Sequence, residues 1–135
     1  MTDRSLSSLI DLLAETVAQT SRPVSDDDRA ELLVLLTLVE QQAADETLSP
    51  TQERRLAIAV HALAFVRRMR DGERLDDLGP EVFAEVPEER LRDVRQMLAL
   101  YCTPRAQTPS ETEVLLFALH FEAARQSTSA LDLPA

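Results

Sequence analysis

Apolar residues recur at three- and four-residue intervals along most of this chain, and nowhere do they alternate with polar ones long enough to build a strand. That single period restricts the fold to helices packed on helices. Composition agrees with it. Two glycines in 135 residues, and 44% hydrophobic residues with leucine and alanine dominant, favour helices joined by short connections. A chain of this length supports one core. The expected fold class is all-α, a compact bundle of five to six helices.

Leu6, Leu9, Ile10, Leu13 and Val17 define a first amphipathic helix over roughly residues 5–20. Ser21-Arg22-Pro23 breaks it, and Ser25 offers an N-cap ahead of Asp26, Asp27 and Asp28, whose charge suits a helix N-terminus. The second helix then runs to about Glu46. Ser49-Pro50-Thr51-Gln52 marks a third start, read as a serine cap, a proline in first position and a capping-box glutamine. That helix is expected to stop near Asp71-Gly72. Residues 72–86 read as a turn followed by a short helical piece around Pro80. Pro87 opens the next helix, which ends at Cys102-Thr103-Pro104. Thr108 is the expected cap of the last, with Glu111 completing its box and the helix running to about Gln126. The expected organisation is an N-terminal helix and linker (1–24), a helical domain (25–127) and a disordered tail (128–135).

Several kinds of chemistry find no support. No glycine-rich loop cradles a phosphate, and one cysteine with two distant histidines is a poor zinc set. Cys102 lies near a helix C-terminus, where the dipole disfavours a thiolate. A net charge of −10 repels nucleic acid and anionic membrane surfaces, and no helix is basic over a whole face. No catalytic set, cofactor site or metal site is read from the sequence. A lone cysteine fits a reducing cytoplasm, the amino terminus lacks the solid apolar run of a signal peptide, and no stretch approaches the ~20 apolar residues needed to span a bilayer.

The two histidines are the exception. His61 and His120 each lie twelve residues past a hydroxyl residue that precedes a proline, Ser49 and Thr108. Each ends the same local frame, Ile58-Ala59-Val60-His61 and Phe117-Ala118-Leu119-His120. Arg54 and Arg68 stand one heptad before and after His61, on nearly one helical stripe, and Glu113 stands one heptad before His120. An imidazole is a nitrogen nucleophile near neutral pH, and a phosphoryl group on it calls for arginine partners. The plain alternative is that both histidines are hydrogen-bonded core residues of an adaptor, with Arg54, Arg67 and Arg68 on a solvated face. A metal or hydrolytic centre from His61, His120 and Glu113 is a third reading, unsupported by any second cluster.

The run from Leu56 to Gly72, with His61, Phe65, Arg67 and Arg68 inside it, resembles the first histidine segment of the PTS regulation domain, or PRD. The run Ser110 to Phe121, with Glu113 and His120, resembles its second. Order and separation fit, and the resemblance covers about Asp28 to Arg125. Val60 stands where many members carry an aspartate.

The resemblance implies a regulatory module that is not an enzyme. His61 and His120 would be its phosphorylation sites, with Arg68, Arg67 and Glu113 supporting the phosphoryl group; Arg54 joins them from its place on the His61 stripe. HPr or an enzyme II component of the sugar phosphotransferase system would be the donor. The module would act in transcriptional or metabolic regulation through a protein partner or as a homodimer, without touching nucleic acid itself.

Overall fold

The computed structural model describes residues 2–18, 22–76 and 80–132. Over these the chain forms α1 (Thr2–Ala18), α2 (Asp26–Asp45), α3 (Gln52–Asp71), a four-residue α4 (Pro80–Phe83), α5 (Glu88–Cys102) and α6 (Glu111–Asp132), with a 3-10 turn at Thr103–Arg105. No strand occurs among the described residues, so the fold is all-α as the periodicity predicts. None of the helices searched is long and apolar enough to cross a membrane.

The helices bury their apolar stripes in one shared core. Leu6 and Leu13 of α1, Leu32 and Leu35 of α2, Phe65 of α3, Leu98 of α5 and Phe117 of α6 all have 0% exposure within it. The core includes α1, so the boundary expected at residue 24 does not divide the packing. Helix α6 continues past residue 127 to Asp132. Residues 133–135 lie outside the described residues.

Ion pairs fix how the helices run against one another. Arg55–Glu40 and Arg67–Asp28 join α3 to α2 in antiparallel order. Arg90–Glu122 and Arg95–Glu111 do the same for α5 and α6. Arg90 reaches Glu46 at the end of α2 as well, and its guanidinium lies over the Phe121 ring. At the opposite ends of the same helices, Arg105 pairs with Glu31, and the Tyr101 hydroxyl donates to Glu31. Asp28 is the most constrained acid. Its burial opposes ionisation, yet the Arg67 hydrogen bond, the Ser25 backbone N–H and Arg70 bring its pKa down to about 2.

Helix α2 begins as expected, with Ser25 and Asp28 exchanging the two bonds of a capping box. The starts of α3 and α6 are corrected by two residues each. Thr51 Oγ1 accepts from the Arg54 amide at 3.1 Å, and Ser110 Oγ accepts from the Glu113 amide at 3.2 Å. Ser49 and Thr108 do not cap, and Pro50 and Pro109 precede their caps instead of opening the helices. A proline favours an extended residue before it, which keeps Ser49 and Thr108 outside the helix. In each segment a second hydroxyl residue follows the proline and takes over as cap. Likewise Pro87 precedes α5, which opens at Glu88.

At its other end α3 stops at Gly72, which takes φ 73 and donates its amide to the Arg68 carbonyl. A Cβ at this position would meet nothing within 4 Å, so the glycine serves backbone conformation and not space. Gly72→Ala should therefore lower stability by about 1 kcal/mol, read as a lower urea midpoint with an unchanged m-value. An unshifted midpoint would show that the left-handed cap contributes nothing.

Candidate functional site

The corrected caps preserve the likeness between the two histidine segments. Each histidine lies ten residues after its true cap, from 51 to 61 and from 110 to 120. Because α3 and α6 pack antiparallel, these equivalent positions face each other. The imidazole centroids are 5.3 Å apart with the rings tilted at 45°. The edge contact between His61 and Phe117, at 4.5 Å and 74°, fixes the first ring, and Phe117 in turn packs edge-on against Phe65.

Arg68, one heptad along from His61, meets Glu113, one heptad back from His120. Its Nε and Nη2 bind the two carboxylate oxygens at 2.7 and 2.9 Å, a fork-on-fork arrangement. The Glu113 side chain is 4% exposed. Glu113 Oε1 lies 3.9 Å from His61 Nε2, beyond hydrogen-bonding distance, so the carboxylate belongs to Arg68 and not to the histidine.

Both imidazoles are held neutral. Burial, then His120, then Arg68 push the His61 pKa down to about 4, and burial followed by Arg54 lowers that of His120. His61 Nε2, His120 Nδ1 and Arg54 Nε are all buried, and none has a hydrogen-bond partner among the described residues. Buried ring nitrogens usually find partners, so two unsatisfied ones on adjacent rings call for an explanation.

The remaining expected residues divide. Arg54 lies on the histidine side, close enough to affect His120. Arg67 does not. It is turned about 100° from Arg68 around the helix, and it binds Asp28 and the carbonyls of Arg22 and Pro23. It holds α3 to the start of α2. Val60 points outward and is 45% exposed. Phe117 was not picked out from the sequence as part of the site, although its place three residues before His120 puts it on the same helical face. Among the described residues, no group of three or more His, Cys, Asp and Glu could hold a metal ion. Cys102 is buried and unpaired, and burial pushes its thiol up to about 11.

No family model matches this chain, and no curated protein matches it. Among solved structures, it is similar to a crystal structure of a PRD-containing transcription regulator from Lactobacillus casei ATCC 334. The identity is 23%, the TM-score is 0.66, and the match covers 84% of this chain and 92% of that one. At that identity the likeness is one of fold, and the fold is PRD-like.

Proposed function

We propose that this protein is a phosphorylation-responsive regulatory module in which His61 and His120 accept a phosphoryl group from the sugar phosphotransferase system. The observation that carries the reading is the facing pair of neutral imidazoles, 5.3 Å apart, each with a buried ring nitrogen that lacks a hydrogen-bond partner among the described residues. A neutral ring keeps the lone pair that attacks phosphorus, and Arg54 supplies positive charge for the product beside the Arg68–Glu113 pair. The PRD-like fold supports the same reading, since the solved structure it resembles is that of a transcription regulator.

On this reading the donor is HPr or an enzyme II component, and the protein works in the cytoplasm without catalysing a reaction of its own. Its output passes to a protein partner or to its own homodimer. With a net charge of −10, direct contact with nucleic acid forms no part of it.

Incubation with phosphoenolpyruvate, enzyme I and HPr, with and without enzyme II components, should add phosphate to the chain. Peptide mass spectrometry under conditions that preserve phosphohistidine should locate it on His61 or His120. A chain left unmodified by every donor would overturn the proposal. It would favour the adaptor reading, in which His61 serves only to pack on Phe117.

A further inference from the structure

We infer that His61 and His120 form one acceptor site for a single phosphoryl group, so that occupation of either ring closes the other. The inference rests on the phosphorylation reading above and adds a limit that the reading does not contain.

The first argument is distance. With ring centroids 5.3 Å apart, phosphoryl groups on both histidines would face each other across a few ångströms. Each carries roughly −1.5 to −2 charges, and their repulsion, even at the dielectric constant of bulk water, lowers occupancy of the second ring at least ~10-fold. Inside a largely buried site the repulsion is stronger. The His61 side chain is only 14% exposed, and the rings already affect one another electrostatically.

The second argument is the supply of cations. Arg68 is bound through both of its fork positions to Glu113, and that carboxylate is itself nearly buried. Releasing Arg68 to a phosphate would leave Glu113 without a counter-charge. Arg54 remains, with its buried Nε lacking a hydrogen-bond partner among the described residues. One available guanidinium matches one phosphoryl group. Glu113, the acid of this cluster, adds to the repulsion of a second.

Potassium phosphoramidate tests this without any protein donor. A ring nitrogen attacks phosphorus, the new N–P bond forms as the bond to the amino group breaks, and ammonia leaves carrying the ring's proton as ammonium. In native protein, intact mass should plateau at one added phosphoryl group, and peptide mapping should find it on His61 in some molecules and on His120 in others. The same chain unfolded in urea should take two. His61→Ala and His120→Ala, checked for folding by circular dichroism, should each take one.

Two groups on the native chain at comparable occupancy would overturn the single-site inference and leave the phosphorylation reading standing. A folded His120→Ala that takes none, or native wild-type modified on His120 alone, would also overturn the inference, because burial of His61 would then set the limit. No native modification, with two groups in urea, would overturn the inference, and the phosphorylation reading would then stand or fall on the protein donors.

Discussion

Replacing Arg68 by methionine should destabilise the protein by about 3 kcal/mol, since removing one partner of a buried ion pair leaves the other charge uncompensated. The partner here is Glu113, whose side chain is 4% exposed and whose oxygens are both held by the Arg68 guanidinium. Methionine keeps much of the aliphatic stem, so the loss reports the charge and not the packing. Adding Glu113→Gln should recover a large part of it, because the orphaned carboxylate disappears. Arg29→Met is the control. Its pair with Asp11 has an equally good 2.9 Å distance, but the side chains are 43% and 68% exposed, and such a pair contributes within about 1 kcal/mol. Urea unfolding of the four proteins decides the matter. Equal losses for Arg68→Met and Arg29→Met would show that burial of Glu113 has no energetic weight.

Acid should destabilise the protein earlier than its carboxylates alone would require. The folded pKa of His61 lies near 4, below the ordinary 6.5, so the unfolded chain binds the proton first as pH falls. Stability attributable to His61 is therefore intact above about pH 6.5 and declines as pH drops toward 4. At 1.36 kcal/mol per pKa unit the loss across that window is on the order of 3 kcal/mol. His120, also lowered, adds in the same direction. The buried carboxylate of Asp28, held near 2, begins to contribute only at the acid end of this range. His61→Gln should flatten much of the slope, measured as urea midpoints at several pH values. A variant with the wild-type slope would place the acid sensitivity elsewhere.

Much of this site was within reach of the sequence. The matched histidine frames identified equivalent positions on two helices, and those positions face each other. The heptad offsets held more information still. Arg68 follows His61 by seven residues and Glu113 precedes His120 by seven. In an antiparallel pair with the histidines opposed, the arginine and the glutamate must meet. Helix direction was the missing datum, because local periodicity carries no record of how two helices separated by about forty residues dock.

Arg67 shows the opposite limit. Two consecutive arginines look alike in a basic run, and only the side turned toward the Asp28 cap separates the structural one from the one beside the histidine. The caps erred for a local reason. Each segment places a hydroxyl residue on both sides of its proline, and either can start a helix.

The arginines that fix the helix order also shape what an approaching molecule meets. Among the described residues nine of them appear in ion pairs, while acids such as Asp26, Asp27, Asp45, Glu53 and Glu73 stand exposed. The long-range field is therefore that of a polyanion, felt over a Debye length of about 8 Å at physiological ionic strength. A partner with a basic face is drawn in faster than diffusion alone would bring it, and added salt slows the encounter. The same pairing that orders the bundle would thus set how fast a basic partner arrives.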